Sequence, residues 1–555
     1  MDAGGAAQEK DPGPHLLLLH RYYTETKRVN GKPKLVKQVY LGPAEEIYRR
    51  LMSAQAPEPL EVEKLAFGGV AALWDQVQEL GLREIIDEVV GMRADRQISV
   101  GTYLVVGLIN RALEPTSKNG IPRWMGRTIL PRLVGLPAEA FDSQSFWDAM
   151  DLVREEHIAE IEERVWLRVL QRYHVLTDLL LYDTTNFATH IDTFTPCQLP
   201  QRGKAKQGST NQRLVGLALA CTSGLGLPFL HQVYEGNRHD ARLFPGLMQK
   251  IVARYLRLRT EAESVTLVFD KGNNSAPNLE WAAMNKVFCI GSLKPSHYPQ
   301  FLEVPLSWFK ERAGECRLYR TKAMVLERRR VVVVVYNPKT AARQREVFHR
   351  KLEAATRELE RRFYTDRVGA AKEEALLERY RRYLEEKKLA EYLQLKIKTD
   401  KCGLPVLEIK PDKRAIARKE RTFGKTILFS DREDWSSERI MKAYNEKYLV
   451  EENFRFLKDR HYLRFEPVYH WTDQKIRVHA FMCVLALLVV RLLQYRLWRA
   501  GERLSIPLLL EELDDITEVT LLYPGPRVVR KMARLSAVQT RLWELFELAK
   551  YQAPG

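Results

Sequence analysis

Near residue 173 the hydrophobic period of the chain changes. From about 60 to 172 apolar residues recur at helical spacing, in VAALWDQVQELGL, YLVVGLINRAL and IAEIEERVWLRVLQRY. Short apolar runs bounded by turn residues follow: LLLYDTTNF (179–187), LVGLALACT (214–222), LPFLHQVYEG (227–236), SVTLVFDKG (264–272) and KVFCIGSLK (286–294). Ser223-Gly224-Leu225-Gly226 joins the second run to the third as a hairpin, and DARLFPGLMQKIVARYL (240–256) reads as a helix. The order is strand, strand, strand, helix, strand, helix, strand. Mixing hairpins with crossovers predicts an α/β fold, a mixed sheet with helices on its faces. The first and fourth runs end in carboxylates, Asp183 and Asp270.

The flanks divide the chain further. Residues 1–14 carry Gly, Ala and Pro without period and are expected to be disordered. A basic hairpin around Asn30-Gly31 follows, carrying Arg21, Lys27, Arg28, Lys32, Lys34 and Lys37. It reads equally as a phosphate contact or as a solvated edge whose lysines block aggregation. Between 300 and 432 the pattern breaks: a β-branched run VVVVVYNP sits behind Arg328-Arg329-Arg330, read as gatekeeper charges, and 341–396 reads as two long charged helices. KTILFSD (425–431) is one more strand. The expected organisation is a tail and basic hairpin (1–58), a helical domain (59–172), a first part of the α/β core (173–299), an α+β insertion (300–432), a second core part (433–500) and a helical C-terminal region (501–555).

A formal net charge of +17 over 555 residues favours an anionic partner, with nucleic acid first. The six cysteines contain no C-x-x-C pair, which argues against a zinc ribbon or disulfide framework and suits a reducing cytoplasm. The longest apolar run, Ala480–Val490, is short of the roughly 20 residues that span a bilayer and reads as a buried helix; no membrane association is expected.

Residues 444–459 read YNEKYLVEENFRFLKD. At about 100° per residue, Tyr444, Lys447, Glu451 and Lys458 fall within about 60° of arc on an ideal helix. Val450, Phe454 and Leu457 form an apolar stripe beside them, and Glu452 lies off the row. The helix would pack along one edge and present a carboxylate between cations along the next. Carboxylate oxygens at the ends of sheet strands are hard ligands suited to Mg²⁺ or Mn²⁺. Two such ions activate an attacking oxygen and stabilise a leaving one in phosphodiester chemistry. Asp183, Asp270 and Glu451 are therefore the candidate catalytic and metal-binding residues, with Asp240 in reserve or as a helix cap.

The spacing Tyr-x2-Lys-x3-Glu-x6-Lys resembles the tyrosine–arginine–glutamate–lysine signature of cut-and-paste DDE insertion-sequence transposases. LYDTTNF and LVFDKGNNS resemble their first and second aspartate motifs, and GNRHDARLF, FEPVYHWTDQKIRVHAFMCVLAL and the early hairpin are similar to family sequence. The resemblance implies an RNase H-like core interrupted by an insertion. It implies Mg²⁺ as cofactor, two ions with Mn²⁺ able to substitute, held by Asp183, Asp270 and Glu451. Its partner would be double-stranded DNA, the element's terminal inverted repeats and the target, held by a homodimer, with residues 15–170 recognising the ends. Tyr444, Lys447 and Lys458 match DNA-contacting positions, although Lys447 stands where the signature has arginine and so loses a bidentate fork. Arg455 is read as a phosphate ligand or as a salt-bridge partner orienting the carboxylate, Arg477 as lining the DNA channel, and His470 and His479 as structural hydrogen-bonding residues, as lining that channel with it, or as metal ligands. Trp308 is read as a core residue or, by resemblance, as an aromatic that stacks on a displaced base. The alternatives to a transposase are a DNA-binding descendant without catalysis and an RNase H-like nuclease or resolvase.

Overall fold

A computed structural model describes residues 20–29, 32–53, 59–91, 97–192, 194–203, 212–238, 240–258, 264–366, 373–466, 468–524 and 527–553. The N-terminal tail and the Asn30-Gly31 turn lie outside the described residues. Contacts divide the chain into two units, one of residues 1–65, 517–535 and 552–555, the other of 66–516 and 536–551.

In the smaller unit β1 (His20–Val29) and β2 (Lys32–Pro43) pair antiparallel as a hairpin, as the turn signal predicts, and the helix Ala44–Ser53 follows. β3 (Glu61–Ala66) belongs to a separate three-stranded sheet.

The larger unit is built on a sheet with the strands β4 (Leu179–Ala188), β5 (Gln201–Gly203), β6 (Gln212–Thr222), β7 (Pro228–Glu235), β8 (Thr266–Phe269) and β9 (Phe288–Ser292). β10 (Glu311–Ala313), β11 (Cys316–Val325) and β12 (Arg328–Tyr336) come next; β13 (Leu393–Thr399) and β14 (Pro405–Pro411) make a hairpin of their own, and β15 (Lys425–Ser430) returns to the main sheet. Its order is β10-β11-β12-β15-β9-β8-β4-β6-β5, with β7 also on β6. β4, β8 and β9 run parallel, while β6 and β7 are antiparallel hairpin partners. The nucleus β7-β6-β4-β8-β9 is thus a mixed sheet whose first strand lies in the middle, the arrangement of an RNase H-like core. Covered on both faces, its central strands read as unbroken apolar runs rather than alternating ones; Thr266, Leu267, Val268 and Phe269 are all buried.

The insertion is less separate than its sequence suggests. β10, β11, β12 and β15 extend the core sheet beyond β9, and Val331–Val334 are fully buried within it. Only the part between β12 and β15 builds its own small core, in which Phe348, Leu352 and Leu359 of the helix Pro338–Thr365 pack on Tyr380 and Leu384 of the helix Glu373–Glu386. Arg330 is no exposed gatekeeper: it is 2% exposed, donates to Asp431 at 2.7 Å and caps the carbonyls of Val325 and Leu326. A second departure lies near the C-terminus. Residues expected to be helical form β16 (Thr517–Leu522) and β17 (Val528–Met532), which join β3. TEVTLL is rich in β-branched residues, and strand pairing outweighs the helical surroundings.

The helix Asp473–Arg499 is the larger unit's central pillar. It is long and apolar enough to cross a bilayer, but 94% of its most apolar window is buried within the protein. The helices Gly68–Leu80 and Val100–Leu113 pack on it, so its apolar character runs all round. The apolar run that appears to stop at Arg491 continues as helix to Arg499.

Beside this pillar Lys118 is 6% exposed, with its ammonium 4.5 Å over the Phe146 ring. Burial, with a smaller contribution from the Arg111 charge, pushes its pKa down to about 7. The folded pKa lies below the unfolded one, so the unfolded chain binds the extra proton between about pH 7 and about pH 10.4. The cost of burying Lys118 is therefore complete below pH 7 and fades as pH rises. Lys118→Met is expected to raise the melting temperature by several degrees at pH 6 and by much less at pH 10, measured by calorimetry. An equal gain at both pH values would show that the ammonium is not desolvated.

Candidate active site

The site is assembled on β4. β4 and β8 pair in parallel with Leu179 opposite Thr266 and Leu181 opposite Val268, and Asp183 and Asp270 each lie two residues beyond the last of these pairs. Asp183, expected at a strand end, instead lies in the middle of β4, which runs on through Thr184–Ala188 paired with β6, whereas Asp270 directly follows β8 as expected.

Asp270 is held by several groups. Ser292 Oγ, at the end of neighbouring β9, donates to Asp270 Oδ1 at 3.1 Å, and Tyr444 Oη donates to the same oxygen at 3.3 Å. Lys447 Nζ lies 3.7 Å from Asp270 Oδ2 and 3.1 Å from Glu451 Oε1. Burial pushes the Asp270 carboxyl up, but the Lys271 backbone amide, the Lys447 charge, Ser292 and Tyr444 outweigh it, and it stays ionised below the usual carboxylate range. Lys447 shows the mirror image. Burial pulls its pKa down, yet Glu451, Asp270, Tyr444 and Asp183 together push it above the ordinary lysine value. One ammonium thus touches two of the three candidate carboxylates and feels the field of the third.

The helix carrying Glu451 differs from the single helix of the sequence reading. Ser437–Asn445 and Tyr448–Leu457 are two helices, joined by a tightened turn in which Lys447 N donates to Tyr444 O and Leu449 N to Glu446 O, three residues back. The ideal phase does not run through that turn. Glu446 is drawn away to accept from the Gly224 amide at the β6–β7 hairpin tip. The row survives because the turn leaves Lys447 one helical step before Glu451. The apolar stripe is as predicted: Val450, Phe454 and Leu457 are buried.

Lys458 closes the row. Its Nζ donates to Thr185 Oγ1 at 2.9 Å and lies 5.2 Å over the Phe187 ring. Asp183, Thr185 and Phe187 alternate along β4 and share one face. Tyr444, Lys447 and Lys458 therefore meet one end of the β4–β8 pair, and Glu451 is tied to it through Lys447.

Other candidates are placed differently. Arg455 pairs with Glu452 at 3.0 Å, not with Glu451, and remains exposed. Arg477 points elsewhere: it pairs with Glu155 at 3.2 Å and lines a small pocket with Glu162, His231 and Arg254. The rings of His470 and His479 lie 4.6 Å apart, tilted at 57°, and His479 Nε2 donates to Phe465 O; burial, reinforced by neighbouring cations, pushes both well below the usual histidine pKa. They are neutral core residues. Trp308 is not in the core: it is 56% exposed in a short turn, tilted against Tyr319. Asp240 opens a helix, and its side chain lies outside what the structure describes.

Three contributors were missed in sequence. Ser292 ends a strand without any motif. Asn453 and Arg491 form a buried lock: Arg491 donates to Asn453 Oδ1 and to Glu452 Oε2, while Asn453 Nδ2 donates to Gly226 O at 2.7 Å. Gly226, at φ +65, makes the hairpin turn that offers this carbonyl. The available signals were an asparagine on an apolar helix face and an arginine inside an apolar run.

Residues 177–489, more than half of the chain, match the family model described as the transposase DDE domain. The chain belongs to the DDE transposases. Among solved structures, a piggyBac transposase synaptic complex with hairpin DNA aligns over 80% of this chain and 79% of its own, at 10% identity and a TM-score of 0.39. A Mos1 transposase paired-end complex with the left transposon end aligns over 36% of this chain and 59% of its own, at 9% identity and a TM-score of 0.15. No curated protein matches the chain.

DDE transposases generally use divalent metals, so the donor set of this transposase matters. Among the described residues no three acidic, histidine or cysteine side chains close on one point as they stand. The Lys447 ammonium fills the position between Asp270 and Glu451. The donors are nevertheless all hard oxygens, Asp270 is held ionised, and Glu451 is exposed to incoming ligand. That chemistry suits Mg²⁺ or Mn²⁺ rather than a soft metal.

Proposed function

We propose that this transposase binds the ends of an insertion element as a homodimer, cuts them by metal-dependent phosphodiester hydrolysis, and joins the freed 3′-hydroxyls to target DNA. What supports the reading is that Asp183 and Asp270 each follow the Leu181–Val268 pair of β4 and β8 by two residues, with Lys447 linking Asp270 to Glu451. Asp183, Asp270 and Glu451 would hold two Mg²⁺ ions, with Mn²⁺ an acceptable substitute. Such ions supply an activated water or hydroxyl and charge stabilisation at the leaving oxygen.

The protein's own groups prepare that chemistry. Ser292 and Tyr444 fix one oxygen of Asp270 and leave the other turned to Lys447. Lys447 neutralises the carboxylates while no ion is bound, which lowers the cost of keeping them close. With the carboxylates holding ions, the same ammonium would be free to contact a phosphate, and Lys458, held by Thr185, offers a second cation alongside. Arg455, exposed on the same helix, adds a third beside the row. Arg477 would contact DNA only outside this row. Exposed Trp308 is available to stack on a displaced base.

Lys447→Gln tests the exchange of ammonium for metal. It is expected to tighten Mn²⁺ binding about tenfold, measured by electron paramagnetic resonance, because about 1.4 kcal/mol of competition is removed. It should also weaken binding to DNA ends. Unchanged or weaker Mn²⁺ affinity would contradict this role.

The function itself is tested by incubating the purified chain with linear DNA bearing the gene's own flanking inverted repeats and Mg²⁺. Nicking at the repeat ends is expected. Cutting that ignores the flanks would favour a nuclease or resolvase, and binding without any cutting would favour a non-catalytic DNA-binding descendant.

A further inference from the structure

The hairpin of β1 and β2 is exposed on every described side chain from Tyr22 to Lys27 and from Lys32 to Leu41. On a regular strand Lys34 and Lys37 would point to opposite faces, because side chains alternate with period two. They do not here. The pairing runs Glu25 with Lys37 and then Thr26 with Leu35, so Val36 is an extra residue in a β-bulge. The bulge resets the alternation. Lys37 faces with Glu25 and Lys34 with Lys27, and Lys32, two residues before Lys34, lies on the same side of the ribbon. Lys27, Lys32, Lys34 and Lys37 therefore share a face whose one described acid is Glu25. Tyr22, Tyr40 and Leu35 occupy the other.

Such an arrangement is unfavourable in isolation. Lys27 and Lys34 are directly opposed across the strands, and like charges so placed repel. A two-stranded ribbon is also only marginally stable alone. Both costs are offset by a polyanion. From Glu25 to Val29 the lysine face runs about 14 Å at about 3.4 Å per residue, the length over which one DNA strand presents about four phosphates. A two-stranded ribbon also fits the major groove. A second copy of the same face would set lysine against lysine.

We infer that the N-terminal ribbon is a duplex-DNA contact, its bulge serving to gather four lysines onto the face that meets the phosphates. This inference rests on the proposed function, since it takes the element's DNA as the partner.

The test uses the full chain and measures binding to end-bearing duplex across a range of salt concentrations. Replacing Lys27, Lys32, Lys34 and Lys37 together by Gln is expected to flatten the slope of log K against log salt by about three to four units. The fourfold replacement by Arg, which preserves charge on the same backbone, should keep the slope. An unchanged slope in the Gln variant would overturn the inference while leaving the transposase reading intact. So would a loss confined to anionic phosphatidylserine vesicles, which would assign the ribbon to a lipid surface. Failure of the unmodified chain to bind duplex DNA at all would overturn both.

Discussion

Asp270→Asn is expected to slow metal-dependent nicking of element ends by at least about a thousandfold, about 4 kcal/mol of transition-state stabilisation. The amide keeps the size of the carboxylate but not its charge. It cannot serve as an anionic metal ligand, and it removes the charge that helps raise the Lys447 pKa. Asp183→Asn and Glu451→Gln should give losses of similar size. Combining any two should cost little more than one, because groups that act as a unit are not additive. End binding should fall by no more than about threefold and could strengthen, since an acid is removed from a face that meets phosphate. Single-turnover nicking with gel-shift binding on the same DNA separates the two effects. Parallel loss of both would point to misfolding or to a purely electrostatic role.

Arg491→Met is expected to lower the stability of the larger unit by about 2–4 kcal/mol, the cost of leaving buried hydrogen-bond acceptors without their donor. Arg491 is almost wholly buried and donates to Glu452, Asn453 and Gln494 at 3.1 Å or less. Its removal strands the side-chain oxygens of Asn453 and Gln494 in the core. It also releases Glu452 and loosens the seat of the Tyr448–Leu457 helix against the β6–β7 hairpin. Nicking should therefore drop even under conditions where the variant is folded. Urea denaturation gives the first effect, and nicking at low temperature the second. A loss below about 1 kcal/mol would mean that the lock does not hold the helix. Glu452→Gln is the milder control, because the amide oxygen still accepts from Arg491.

The parts of this molecule that could be read in sequence are those where one physical rule dominates. The central strands announce themselves because burial on both faces makes them continuously apolar, and Asp183 and Asp270 stand out as charges at the ends of such runs. Glu451 was separable from Glu452 because packing on β4 demands a stripe, and Val450, Phe454 and Leu457 supply it. The misses arise where tertiary contacts override local pattern. The turn at Glu446–Lys447 breaks the helix because Glu446 is drawn to Gly224, a residue 222 positions away in the chain. Arg330 looked like a surface charge, although its partner Asp431 reaches it only once β12 and β15 pair. The strands at 517–532 depend on β3 for their sheet. Ser292 touches Asp270 only because β8 and β9 are neighbours. Arg477, inside a segment similar to family sequence, faces Glu155 because the long helix turns it away from the carboxylate row.

Iron-mediated cleavage of the polypeptide tests the central claim most directly. Fe²⁺ takes the place of Mg²⁺, and ascorbate with peroxide generates hydroxyl radicals that cut the backbone close to the bound ion. Cuts should appear near residues 183, 270 and 451 together, should fade as Mg²⁺ is added, and should all disappear in Asp270→Asn. Cuts confined to one of these segments, or clustered elsewhere in the chain, would show that the three carboxylates do not share a metal.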